Sequence, residues 1–150
     1  MAIDRLRDNP IIILDTNALF LPFQFKLNLD SELIRIFGAY ELVIPRCVLS
    51  EIQRLQSTEK FGPLALKLAQ SKPIPDWYST LETELLGGRE TSEPFPGLNK
   101  TDSTIITIAK AISGIVVTCD KVLLRHLHEQ GVQTISLRQK KYLKLNSLHK

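Results

Sequence analysis

Two of the acidic residues in this 150-residue chain stand directly after apolar runs. Asp15 follows residues 11–14, and Asp120 follows residues 115–119. An aspartate in this position often starts a turn or caps a helix, so capping alone is a competing explanation for each. If the two runs are neighbouring parallel strands, their carboxylates share the crevice at the carboxyl ends of the strands. Open α/β sheets bind their ligands in that crevice.

A third acidic residue, Glu51, shares a predicted helix face with apolar residues. It lies three residues after Val48 and four before Leu55, a spacing that aligns side chains on one face. A buried charge needs a partner. The spacing therefore predicts either a pair with an arginine such as Arg46 or Arg54, or a place in a functional site.

The fourth acidic residue, Asp102, begins a helix whose following turns carry Ile105, Ile106 and Ala109 on the same side. A favourable interaction with the helix dipole is the competing explanation. Four carboxylates in one crevice would repel one another, and a divalent cation would remove that repulsion. Oxygen ligands suit Mg²⁺ or Mn²⁺, which lowers the pKa of a bound water for attack on a phosphodiester.

Strands and helices alternate along the sequence, which indicates parallel strands joined by helical crossovers. We expect an α/β protein, a three-layer α/β/α sandwich with a mainly parallel central sheet of about four to five strands. A polar turn is predicted at residues 15–17 and a mobile loop at 89–100. The predicted strands are 11–14, 41–44, 115–119 and 132–137, and the predicted helices are 31–37, 48–55, 61–71, 77–86 with Asp76 as N-cap, 101–113 and 121–130.

The length predicts a single domain over residues 1–150, with an N-terminal extension at 1–10 and a basic C-terminal tail at 138–150. The net charge is +3, and the basic excess lies in residues 121–150. This excess is compatible with a nucleic-acid partner or with a solvated face.

Composition excludes several classes of protein. With 43% hydrophobic and 23% charged residues and no long apolar run, we expect no membrane span and no signal peptide, hence a cytoplasmic location. The two cysteines, Cys47 and Cys119, are too few for a disulfide scaffold or a zinc site and are expected to be buried thiols. The histidines are not needed for the chemistry above.

The order of these pieces resembles the PIN-domain nucleases. The matching pieces are Ile-Leu-Asp-Thr-Asn at 13–17, Val-Leu-Ser-Glu-Ile at 48–52, Thr-Asp at 101–102 and Val-Val-Thr-Cys-Asp-Lys at 116–121. The chain is most similar to single-domain archaeal PIN proteins, grouped with ribosomal-RNA-processing nucleases or with VapC-type toxins. The resemblance implies an α/β/α fold, Mg²⁺ or Mn²⁺ dependence and endonucleolytic cleavage of single-stranded or structured RNA.

The resemblance also implies roles for individual residues. Asp15, Glu51, Asp102 and Asp120 would be metal ligands, direct or through water, with Asp120 the most variable in the family. Asn17 and Thr118 would brace those ligands. RNA contacts are expected from the basic residues Arg46, Lys121, Arg138, Lys140 and Lys141.

Partners and alternative functions stay open at this level. The resemblance is compatible with a homodimer through the helices between residues 61 and 86, and with an antitoxin or a pre-ribosomal particle as partner. One alternative is a non-catalytic RNA-binding or assembly module with the same fold. Another is a hydrolase of small phosphate esters, against which stand Asn17 in place of a second aspartate and the lack of a glycine-rich phosphate loop.

Overall fold

The computed structural model describes residues 9–87 and 95–148. Five strands and seven helices lie in these ranges. In chain order they are β1 (Ile11–Leu14), α1 (Thr16–Gln24), α2 (Leu29–Phe37), β2 (Glu41–Val43), α3 (Arg46–Leu55), α4 (Gly62–Ser71), α5 (Asp76–Leu86), α6 (Lys100–Ile112), β3 (Ile115–Val117), α7 (Lys121–Glu129), β4 (Thr134–Arg138) and β5 (Tyr142–Asn146).

One sheet in the order β2-β1-β3-β4-β5 contains all five strands. The first four strands are parallel, and β5 runs antiparallel to β4. Every residue of β1 and β3 is buried. Because successive side chains of a strand point to opposite faces, burial of every residue means that both faces are covered. The predicted fold class, a mainly parallel sheet with helices on both sides, is confirmed.

Helix α1 begins where the sequence predicted a polar turn. Asp15 follows β1 as predicted, but Thr16 and Asn17 are already the first residues of a helix. This helix runs to Gln24 and contains Pro22. Residues 18–21 are all buried. A helix that is apolar on all sides carries no amphipathic stripe, so its 3.6-residue period was invisible in the sequence.

The end of β4, a turn and strand β5 occupy residues 138–146 of the predicted basic tail at 138–150. A turn with positive φ at Gln139 and Lys140 reverses the chain, and β5 then pairs with β4. At the outer edge of the sheet, Glu32 of α2 accepts the backbone N–H of Leu143 at 2.8 Å. Arg35 of the same helix donates to the Leu143 carbonyl at 2.6 Å.

Three smaller expectations have different outcomes. Helix α5 starts at Asp76, but its N-cap is Pro75, with no side-chain capping bond. The predicted N-terminal extension falls largely on residues 1–8, and the predicted mobile loop falls partly on residues 88–94. Both ranges lie outside the described residues. Within the part of the chain that is described, no helix is long and apolar enough to cross a membrane.

Candidate active site

Asp15 stands at the junction of β1 and α1 and is 3% exposed. Its Oδ1 accepts a hydrogen bond of 2.7 Å from the backbone N–H of Ala18, so Asp15 is the N-cap of α1. Burial raises the pKa of Asp15 to about 7, hydrogen bonds from Thr118 and Ala18 oppose this, and the charges of Asp102 and Asp120 add to it. Asp15 therefore both caps α1 and belongs to an acidic cluster.

Asp120 occupies the matching position after β3. It caps α7, with Oδ1 accepting the backbone N–H groups of Val122 and Leu123 at 2.9 and 3.1 Å. Thr118 is fully buried and joins the two aspartates. Its hydroxyl donates to Asp15, and the same oxygen accepts the backbone N–H of Asp120 at 3.1 Å. Since β1 and β3 are paired neighbours, both carboxylates lie at one edge of the sheet.

Asp102 lies in the first turn of α6, as the helix-dipole explanation also required. The N-cap Asn99 fixes this turn by accepting the backbone N–H of Asp102 at 2.8 Å. Burial, together with the charges of Asp120 and Glu51, raises the pKa of Asp102 to about 6. Asp102 thus interacts with carboxylates from three other elements.

Glu51 of α3 is half-buried and is held by Thr16, the first residue of α1. The Thr16 hydroxyl donates to Glu51 Oε1. The predicted alternative, a pair with Arg54, also forms, with 3.8 Å between Arg54 Nη2 and Glu51 Oε2. Arg54 is 71% exposed, and an ion pair this open to solvent adds little. Glu51 still acts electrostatically on Asp102.

We call these four residues the carboxylate edge. Two of them are the N-caps of α1 and α7, and the other two lie in α3 and α6. Electrostatic interaction links Asp15 to Asp102 and Asp120, and Asp102 to Asp120 and Glu51. In residues 9–87 and 95–148, no group of three or more His, Cys, Asp or Glu side chains is arranged so that it could hold a metal ion. The four carboxylates are close enough to interact electrostatically but do not form a ready-made metal site.

Arg46, predicted to contact RNA, is committed to helix α5. Its guanidinium donates to the Thr83 hydroxyl at 2.6 Å and the Ser79 carbonyl at 3.3 Å. Its Nε lies 3.5 Å from Glu82 Oε2. Glu82 is 4% exposed and also accepts from Tyr78. This geometry assigns Arg46 to the packing of α3 on α5 and gives no support to an RNA contact.

The remaining basic residues of the prediction lie at the surface. Lys121 is exposed directly after Asp120, and Lys140 and Lys141 are exposed in the β4–β5 turn. Arg138 ends β4 and donates to Asn146 Oδ1. Burial raises the pKa of the nearby Cys119 thiol, on which Asp15 and Arg138 both act electrostatically. Arg138 therefore lies at the same end of the sheet as the carboxylate edge.

Two residues show where sequence reasoning was incomplete. Asn17 is exposed, and within the described chain it makes no hydrogen bond to any of the four carboxylates, so its bracing role stays a prediction. Thr16 was missed, although it fixes Glu51. The available signal was its place immediately after a strand-ending aspartate, the first position of the helix that Asp15 caps.

The geometry defines an α/β/α protein with an acidic site at the carboxyl edge of its parallel strands. A family model described as a PIN like domain matches residues 12–74. The curated protein Ribonuclease VapC4 of Methanocaldococcus jannaschii is 31% identical over 139 residues, which cover 89% of this chain and 95% of that protein. The solved structure of the PIN domain endonuclease Utp24 matches with a TM-score of 0.65 and 20% identity, over 91% of this chain and 90% of that one.

The chain therefore belongs to the PIN-like domain family. The likeness to Utp24 adds agreement in fold.

Proposed function

We propose that this protein is a divalent-metal-dependent endoribonuclease that hydrolyses RNA phosphodiester bonds with a metal-activated water. The observation that carries the proposal is the convergence of Asp15, Glu51, Asp102 and Asp120 at the carboxylate edge. Membership of the PIN-like family and a relative named as a ribonuclease support RNA as the substrate class. The exposed Lys121 beside Asp120 supplies positive charge for a phosphate backbone.

The donor set fits Mg²⁺ or Mn²⁺, because every candidate ligand is a carboxylate oxygen. The pKa values of Asp15 and Asp102 are raised to about 7 and 6, so the fully ionised set is unfavourable without a positive charge. The four carboxylates would hold the ion directly or through water. Water-bridged ligation suits Mg²⁺, which keeps several waters, and agrees with a cluster that is not closed on itself.

The protein's own contribution is to position these carboxylates. Thr118 of the β3–α7 connection and the backbone N–H of Ala18 at the N-terminus of α1 both donate to the carboxyl group of Asp15. Thr16 holds Glu51 across the gap between α1 and α3. When bound, the ion lowers the pKa of a coordinated water and so supplies the nucleophile near neutral pH.

The proposal covers two cellular roles. As a VapC-type toxin, the role that the name of the curated relative favours, the protein would be held inactive by an antitoxin. As an RNA-processing enzyme it would act on a pre-ribosomal particle. A small antitoxin gene beside this one, and co-purification of its product, would favour the first role.

The test is cleavage of a single-stranded RNA with Mn²⁺ by wild type, by Asp102→Asn and by Asp76→Asn. Asp76 is an exposed residue in the first turn of α5, so its variant removes a helix-start charge away from the site. We expect Asp102→Asn to lower the cleavage rate by at least about 100-fold, and Asp76→Asn to leave it within about twofold.

Two controls make the cleavage test decisive. EDTA should abolish wild-type cleavage, which separates this activity from contaminating metal-independent ribonucleases. Cooperative thermal unfolding of Asp102→Asn should show that the variant is folded. Wild-type cleavage rates in a folded Asp102→Asn would overturn the proposal.

A further inference from the structure

A second polar region lies where α7 covers the outer strands β4 and β5. A cavity of about 360 Å³ opens there, which we call the β4–β5 cavity. Two leucines and six polar residues line it: His128, Ser136, Arg138, Lys144, Asn146 and Ser147. Among the described lining residues none is acidic, whereas two, Arg138 and Lys144, are basic. The cavity is therefore chemically the opposite of the carboxylate edge.

Asn146 organises the cavity and is 8% exposed. Because the Arg138 guanidinium has only donors, the Asn146 oxygen must face it. The Asn146 amide nitrogen then donates to Thr134 Oγ1 at 2.9 Å and Ser136 Oγ at 2.6 Å. Both amide hydrogens are used in this way.

The hydroxyls that accept from Asn146 each keep a hydrogen to donate. Thr134 lies 2.8 Å from His128 Nε2. Ser136 lines the cavity and is 5% exposed, and its hydrogen has no acceptor within the described chain. Ser136 and Lys144 are register partners across the two strands, so a hydroxyl donor and an ammonium group stand side by side on the cavity face. The cavity thus offers donors and positive charge, the complement of an anion.

The position of the cavity relates it to the carboxylate edge. The order β1-β3-β4 places β4, which ends at Arg138, two strands from β1, a lateral separation of about 10 Å at the usual spacing of about 4.8 Å between strands. Arg138 and Lys144 are exposed at the rim, so a long ligand can continue beyond the cavity. Since carboxylates repel phosphates, a nearby cationic cavity would supply attraction that the carboxylate edge lacks.

We propose that the β4–β5 cavity binds a backbone phosphate of an RNA strand whose scissile bond lies at the carboxylate edge. The inference rests on the proposed ribonuclease function and adds a phosphate subsite formed by Ser136, Arg138 and Lys144. A free phosphate compound shares this chemistry. The experiment below therefore separates the RNA strand from inorganic phosphate.

The first measurement is the dissociation constant of a fluorescent single-stranded RNA in EDTA, so that cleavage cannot occur, over a range of KCl concentrations. Lys144→Gln is compared with Lys67→Gln, which removes the same charge from the exposed face of α4. Loss of one phosphate contact should weaken binding about fivefold and reduce the log–log salt slope by about 0.7. Lys67→Gln should match wild type.

Ser136→Ala tests the donor geometry without changing charge. We expect weaker RNA binding with an unchanged salt slope, because no counterion is released by a neutral hydroxyl. Thermal unfolding checks that the variant is folded. If Ser136→Ala does not fold, the exposed Lys144 still decides the question.

Inorganic phosphate supplies the second arm. Added at ionic strength matched with KCl, it should compete with RNA in wild type and lose that effect in Lys144→Gln. Wild-type affinity and salt slope in Lys144→Gln would overturn the inference, as would phosphate binding at the cavity without any effect on RNA. A different result would count against the proposed nuclease function alone. In that case Lys144→Gln would bind RNA about fivefold more weakly, as expected, but wild type would show no Mn²⁺-dependent cleavage.

Discussion

The carboxylate edge and the β4–β5 cavity belong to one sheet and are built in opposite ways. At the carboxylate edge, burial first, and then the charges of neighbouring acidic groups, raise the pKa values of Asp15 and Asp102, so their ionised forms are in conflict with their surroundings. In the cavity, Asn146 links donors to acceptors without such conflict. The difference teaches that the first region lacks a positive charge, which the proposed metal ion would supply, whereas the second region is ordered by its own side chains.

The largest expected effect is on stability in Asp15→Asn without divalent ions. The folded-state pKa of Asp15, about 7, exceeds its ordinary value of 3.8, so the folded protein holds this proton more tightly than the unfolded chain. Wild type should therefore lose stability as pH rises from about 4 through 7, by up to about 4 kcal/mol from this group. Asn keeps the capping oxygen and avoids that loss.

Urea unfolding of wild type and Asp15→Asn at pH 4.5 and 7.5 measures this effect. The two proteins should be close in stability at pH 4.5, and the variant should be the more stable at pH 7.5. If the free energy of unfolding changed with pH in the same way in both proteins, Asp15 would not have a raised pKa in the folded state.

Addition of Mn²⁺ should relieve the same conflict in wild type. At 100 times its dissociation constant, a bound ion adds about 2.7 kcal/mol to the free energy of unfolding. The apparent affinity should be weaker at pH 5.5 than at pH 7.5, because protons compete for carboxylates with raised pKa values. Thermal unfolding with Mn²⁺ at both pH values checks this, and no shift at either pH would remove the metal from the proposal.

Asn146→Ala should break the ordered region instead. It leaves the buried hydroxyls of Thr134 and Ser136 without their donor, at a cost of about 2 kcal/mol. This cost should appear without any ligand and should not depend on Mn²⁺. Asn17→Ala is the matched control at an exposed asparagine, expected within about 0.5 kcal/mol of wild type. Equal stability of the two variants in urea unfolding would contradict the contrast between the regions.

The smallest expected effect follows Thr16→Val, which frees Glu51 from its hydroxyl partner. Loss of such a bracing contact should weaken Mn²⁺ affinity about tenfold, equivalent to about 1.4 kcal/mol. Thr80→Val, on the exposed face of α5, should leave it unchanged. Calorimetric titration with Mn²⁺ measures both, and equal affinities would mean that Glu51 needs no positioning by α1.

The sequence predicted what short-range patterns encode. Asp15 and Asp120 could be placed at one sheet edge because each ends an apolar run, and such runs form buried parallel strands. Strand β5 was missed although residues 142–145 alternate between exposed and more buried positions, which is a period-2 signal. The many basic residues in 138–150 suggested an exposed tail instead of a strand.

Long-range pairing could not be predicted from one sequence. Arg46 binds Glu82 and Thr83 of α5, more than 30 positions away in the chain. No sequence pattern near Arg46 indicates this pairing. The hydroxyl of Thr16 meets Glu51 across a similar separation. Side-chain commitments of this kind decide which surface cations are free to meet a ligand.

The hydrogen bonds from α2 to Leu143 bear on how copies of this protein avoid one another. An outermost strand offers unpaired backbone groups to any passing strand, which is a route to fibrous aggregation. Glu32 and Arg35 already occupy the N–H and C=O of Leu143, the second residue of β5. The opposite border, β2, is three residues long. Neither end of the sheet is thus an easy template for extension by another chain.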